Sequence, residues 1–237
     1  EAQRGVIRWT EAFENPGVSR VGRFGWKAQL PSVLSFSADA SMQELGFTNR
    51  LLPNENPPRG DEDLLAECDF VLDPEDGPDA DGYDFIDRVT DFQRFLAPAP
   101  QTPRVGMSGE TVFNAAGCAV CHPSTMQTSD DPMLEDVLRS QTIHPYGDFL
   151  LHDMGVGLAD WQPVGDARGS EWRTPPLWGI GLTETVSGHS YFLHDGRARS
   201  LLEAVLWHGG EAQPARDAVM NMPPEDRAAL VRFLESL

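Results

Sequence analysis

Cys118-Ala119-Val120-Cys121-His122 is the stretch on which the reading of this chain turns. Two thiols spaced by two residues and followed at once by an imidazole form the pentapeptide to which haem is attached in c-type cytochromes. The sulfurs make thioethers to the haem vinyl groups, and the imidazole becomes the proximal iron ligand. The competing readings are a redox C-x-x-C and half of a zinc site. A redox motif wants a strand-helix setting, whereas Gly109 to Asn114 reads as the opening turns of a helix running into the motif. A zinc site needs a second close Cys or His pair, and the one cysteine left over is Cys68. A chance His after C-x-x-C is expected about one time in forty or fifty. The motif therefore points to one covalent haem c on Cys118, Cys121 and His122.

Haem c is attached outside the cytoplasmic membrane, so a periplasmic or otherwise extracytoplasmic location is expected. Glu1 is not an initiator Met, and no signal peptide or long apolar run is present, so the chain is expected to be mature, processed or trimmed, without membrane insertion. Cys68 is the odd cysteine, either a lone thiol or the partner of a cysteine elsewhere.

The 237 residues are enough for two modest domains, and 22 Gly with 19 Pro indicate loops joined by short helices. A net charge of -19 excludes nucleic acid and anionic lipid as partners, because phosphate binding needs a basic patch. A redox partner with a basic docking face fits that charge. The carboxylates concentrate between Asp61 and Asp91, where Arg88 is the lone counter-charge. The core of this run, Asp76 to Asp84, invites calcium. An EF-hand with its glycine at Gly82 would run from Gly77 to Arg88, and neither end residue is an oxygen ligand, so that motif fails. A non-EF calcium site stays open beside the plainer reading of a solvated acidic loop.

Coarse periodicity gives a short helix from Asp84 to Leu96, ended by Pro98 and Pro100 and followed by Pro103. It also gives a helix from Ser108 into the haem motif and a short one from Pro132 to Arg139. An irregular stretch follows from Pro145 to Gly188, then a helix from Ser200 through His208 and a last one after Pro223-Pro224. The helices ending in Arg94-Phe95-Leu96 and Arg232-Phe233-Leu234 are alike, with Asp87-Arg88 and Asp226-Arg227 upstream. That likeness suggests tandem copies of one domain type. The expected domains are 1–103, without a haem motif of its own and ending in the acidic loop and Pro-rich linker, and 104–237, carrying the haem.

Three further segments carry a family resemblance: Trp172-Arg173-Thr174-Pro175-Pro176-Leu177-Trp178-Gly179-Ile180-Gly181-Leu182, Tyr191 to Arg197, and Ser200 to Glu211. With Leu150 to Asp160 and Arg23 to Pro31, they make the chain resemble the bacterial di-haem cytochrome c peroxidase superfamily. Within it, the chain is most similar to the di-haem oxidoreductases often labelled thiol oxidoreductases. The resemblance implies an all-α fold: a loop-rich class I cytochrome c-like haem domain preceded by a partial second one. In the peroxidases one haem relays electrons and the other meets peroxide, and the motif at Cys118 occupies the relay position. The partner haem is then expected upstream of Glu1 or on a separate polypeptide, unless this is a natural single-haem variant.

A second axial ligand is sought among His144, His152, His189, His194, His208, Met154, Met220 and Met222. The resemblance puts it on the helix after the His-Asp-Gly turn, commonly as methionine, and that position here is His208. Leu201, Ala204, Val205 and His208 share one helical face, which aims the imidazole into an apolar surface. Met154 is the alternative, and its thioether would raise the potential. Arg173, Arg197 and Arg199 are candidate partners of the haem propionates. Trp172 and Trp178 are candidates for the haem face or for core packing. His194 reads as a structural residue beside the Asp195-Gly196 turn. Trp26 and Lys27 are placed near the domain interface. The leading function is an electron-transfer unit serving a second, catalytic haem. The alternatives are a carrier without catalysis and a mono-haem peroxidase using His194 or Glu184.

Overall fold

The computed structural model describes residues 5–101 and 108–237. The expectations for Glu1, Pro103 and a boundary at Arg104 lie outside them. The chain divides into two compact units, one of Trp9–Gly25 with Gln29–Leu96, the other of Glu1–Arg8, Trp26–Ala28 and Ala97–Leu237.

The first unit opens with a hairpin, β1 (Trp9–Ala12) against β2 (Asn15–Val21), and continues through α1 (Val33–Ala40), α2 (Glu62–Cys68) and α3 (Phe85–Arg94). Ser32 caps α1 by accepting from the Ser35 amide, and Asp61 caps α2 by accepting from the Leu64 amide. Asp84 and Asp87 close a reciprocal box at the head of α3. Helices α1 and α3 pack together. Their contact includes Ile86, fully buried, and the hydroxyls of Ser37 and Thr90, 3.3 Å apart. Much of what this unit buries is small and polar (Ser35, Ser37, Ser41, Thr48 and Asn49), so hydrogen bonds carry much of the packing. One of them runs from Asn49 Nδ2 to the Ala38 carbonyl.

The acidic loop spends its carboxylates locally. Asp76 accepts from the Phe85 and Ile86 amides, Asp79 from the Tyr83 and Asp81 amides and from Arg88, and Asp84 pairs with Arg50 at 2.6 Å. These bonds build the turn that starts α3. Glu55, Asp73 and Glu75 bring oxygens within 4.8 Å of one another, and Thr48 donates to the last two.

The second unit carries α4 (Gly109–Ala115), α5 (Thr183–Ser187), α6 (Leu201–Trp207), α7 (Gln213–Asn221) and α8 (Pro224–Glu235). Its strands are β3 (Met126–Gln127) with β4 (Thr142–Ile143), and β5 (Leu151–Asp153) with β6 (Glu171–Arg173). The all-α expectation is thereby corrected, since the described residues contain three antiparallel two-stranded sheets. Between Pro145 and Pro176 the sequence has no helical period, so its main chain is satisfied by turns and short ladders instead, and the stretch expected to be irregular as far as Gly188 closes in the single turn of α5. Pairing of β5 with β6 sets His152 opposite Trp172 and Asp153 opposite Glu171. The helix expected from Pro132 to Arg139 is also absent. Those residues form turns in the loop joining β3 to β4, held by Asp131 capping the Met133 amide and by Thr128 donating to the Leu138 carbonyl.

The core of this unit is an aromatic cluster between α4 and α8. Phe113, Tyr146 and Phe233 lie 5.4 to 6.1 Å apart in edge-on contacts, with Val219, Leu230 and Leu234 around them. The two helices that look alike in sequence differ in burial. Leu230, Phe233 and Leu234 of α8 are buried, whereas Phe92 in α3, with Phe95 and Leu96 just beyond it, is exposed. Close approach of α4 to α8 depends on Gly109, because a Cβ there would collide with the Ala229 carbonyl and the Phe233 side chain. Gly109→Ala should therefore lower the unfolding free energy by about 1–3 kcal/mol. An unchanged urea midpoint in that variant would contradict this packing.

Candidate haem site

Helix α4 delivers the motif. Gly117 turns the chain at φ 87, Cys118–Val120 form one 3₁₀ turn, and the His122 amide donates to the Cys118 carbonyl at 2.9 Å. Cys118, Cys121 and His122 all face a cavity of about 440 Å³, within the usual range for cofactor pockets of roughly 300–1,000 Å³. Leu177, Ile180, Leu201, Val205 and Leu230 give it apolar walls. Burial pushes the Cys118 thiol up to about 11.

Four histidines line this cavity, and two of them, His122 and His208, are held by main-chain carbonyls. His122 lies 2.7 Å through Nδ1 from the Tyr146 carbonyl, and His208 lies 2.7 Å through Nδ1 from the Ala204 carbonyl. A carbonyl only accepts, so each Nδ1 carries the proton and each Nε2 keeps a lone pair. Burial holds the His122 imidazolium well below its ordinary range, to about 4, with the nearby His208 acting in the same direction. Burial likewise lowers His208. Both rings are therefore neutral at pH 7 and oriented by a main-chain carbonyl, which is the state in which histidine binds a metal. His208 caps α6 rather than extending it, and its bond to Ala204 is what fixes the ring.

These features fit haem: two thiols on one edge, two neutral imidazoles on one cavity, and apolar walls between. Met154 also lines the cavity, as do Arg173, Trp172 and His194. Trp178 and Arg197 are not among the lining residues. Arg197 is bound by Asp195 and the Gly157 carbonyl and lies over Trp207 at 4.8 Å. Arg199 pairs with Glu203 on the surface. His144 bonds Thr125, His189 stacks on Tyr191 at 4.8 Å, and both are exposed, as are Glu184 and Met220; Met222 packs on the core.

Three site residues escaped the sequence reading. Arg216 lines the cavity from α7, a helix with a proline in its first turn that the coarse periodicity did not give. Trp26, read with the first half, belongs to the haem unit and lines the cavity as well. His152 was weighed as an iron ligand, yet it is clamped by carboxylates. It is 3% exposed, with Asp148 Oδ2 3.0 Å from Nε2, Glu211 Oε2 3.0 Å from Nδ1, and Cys121 Sγ at 3.7 Å. Burial opposes its charge, but Asp148, Cys121 and Glu211 outweigh burial and raise it to about 10. The i, i+4 spacing of Asp148 and His152 was the one local signal of this cluster.

A family model described as "Di-haem oxidoreductase, putative peroxidase" matches residues 8–237. The chain thus belongs to the di-haem oxidoreductase family, whose cofactor is haem. No curated protein and no solved structure matches it. No helix among the described residues is long and apolar enough to cross a membrane.

The His152 cluster sets a pH dependence. With its folded value above the ordinary 6.5, its contribution to stability is complete below about pH 6.5 and is lost as pH rises through about 10. His152→Gln should destabilise the fold by about 1–3 kcal/mol near neutral pH by removing the cation that Asp148 and Glu211 share. Urea melts from pH 6 to 10 should show the gap between variant and parent shrinking as pH rises; a constant gap would mean the imidazole is not charged.

Proposed function

We propose that this chain is the electron-relay unit of a di-haem oxidoreductase, carrying one covalent haem c that serves a second, catalytic haem outside the described residues. Cys118 and Cys121 anchor the haem, His122 is the proximal ligand and His208 the distal one. The observation that carries this reading is the pair of half-buried, neutral imidazoles, each held through Nδ1 by a main-chain carbonyl, on the cavity that both thiols line.

Bound there, haem supplies one-electron chemistry at iron. The protein holds the two ligands in place through the Tyr146 and Ala204 carbonyls and keeps water from the ligand faces with leucines and valines. Two imidazoles leave no open position, so the site passes electrons rather than activating peroxide. Arg173, and Arg216 from α7, are the cavity-lining guanidinium groups suited to haem propionates. Attachment of haem c places the protein outside the cytoplasmic membrane. The net charge of -19 suits an electron donor with a basic docking face.

Low-temperature EPR and optical spectra of the purified protein test this. A low-spin bis-imidazole signal that peroxide leaves unchanged is expected. His208→Ala should convert it to high spin and open the iron to exogenous imidazole, while Met154→Leu should leave it low-spin. A high-spin parent protein altered by peroxide would make this chain the catalyst instead.

A further inference from the structure

Lys27 places a positive charge almost wholly inside the haem unit. It is 3% exposed, and its Nζ lies 3.1 Å from Asp160 Oδ1 and 3.0, 3.2 and 3.4 Å from the carbonyls of Arg168, Gly169 and Glu171. Every one of these groups is an acceptor, so the ammonium is both charged and pinned. It stands 3.9 Å from the centre of the Trp172 ring. His194 stacks on the same indole at 3.6 Å with 13° between the planes. Two groups so close to one ring cannot share a face, so the indole is enclosed between ammonium and imidazole. Trp26 meets His194 edge-on at 6.4 Å and is 48% exposed.

An indole under a fixed cation is attracted while neutral and repelled once it has lost an electron. An oxidised indole ordinarily relaxes by shedding its N–H proton. Trp172 Nε1 donates to the Leu158 carbonyl at 3.0 Å, which cannot take that proton. Loss of one electron from Trp172 would thus leave a radical cation facing Lys27, while the acceptor is reduced by that one electron. We propose that Lys27 is a positioning charge that insulates the cavity wall: it keeps Trp172 reduced, so that an oxidised haem does not draw its electron from this indole. The significance of the insulation rests on the haem reading above, whereas the oxidation behaviour of Trp172 does not.

The test is one-electron oxidation of the purified protein with photo-generated ruthenium(III) tris-bipyridine, which needs no help from haem, followed by peptide mapping of oxidised tryptophan. In the parent protein Trp26 should be converted while Trp172 survives. In Lys27→Met, Trp172 should be lost faster by about tenfold or more, and Lys27→Arg should restore protection. Asp160→Asn keeps the lysine and removes its counter-charge, so it should slow loss of Trp172 further and decides the question if Lys27→Met does not fold. Equal loss of Trp172 in the parent and in a Lys27→Met protein of native near-UV dichroism overturns the proposal, as does faster loss in Asp160→Asn. A protein without a haem absorption band would overturn the cofactor reading and leave this comparison intact.

Discussion

The hydrogen bond from His122 Nδ1 to the Tyr146 carbonyl is the constraint from which the haem unit follows. It fixes which nitrogen is bare and where it points. Tyr146 is in turn fully buried, at φ 50, in edge-on contact with Phe113 and Phe233, and its hydroxyl donates to Glu110 at 2.9 Å. Phe113 also touches the His122 ring edge-on at 6.4 Å. The same aromatic cluster thus joins α4 to α8 and aims the imidazole that we propose as the proximal ligand. Packing and chemistry share their residues here, so a loss in one is felt in the other.

Around that centre, the remaining polar groups are arranged by sign. His122 and His208 are kept neutral by desolvation, each beside a main-chain carbonyl, while His152 is kept charged by Asp148 and Glu211. Identical side chains within one cavity take opposite states because their neighbours differ. Lys27 extends the pattern to the far wall, where main-chain carbonyls hold a cation against an indole. In a chain with a net charge of -19, the buried cations among the described residues are His152, which lines the cavity, and Lys27, which lies against the cavity-lining Trp172.

What the sequence made legible was local. The C-x-x-C-H pentapeptide, the amphipathic α3 and α8 and the Ser200 cap of α6 all declare themselves within a few residues. What it hid is assembled across long separations. Lys27 meets Asp160 over 133 residues, His152 meets Glu211 over 59, and β5 pairs with β6 through a stretch with no periodic signal. Hydropathy also misled. The apolar face of α3 resembles that of α8, yet Phe92 stands in solvent while Phe233 is the centre of a core. The all-α expectation failed because it came with the family resemblance, which says nothing of the short strands between the helices.

Trp26–Ala28 belong to the haem unit although residues on both sides of them belong to the other. The haem unit is therefore not a contiguous length of chain. Severing the molecule at the proline-rich segment after Leu96 would release a fragment that has its motif and both imidazoles but lacks Trp26 from the cavity wall and the cation beneath Trp172. Autonomy in sequence and autonomy in space diverge here, and any gene fusion or circular rearrangement that treats this unit as a cassette must bring Trp26–Ala28 and the N-terminal stretch through Arg8 with it.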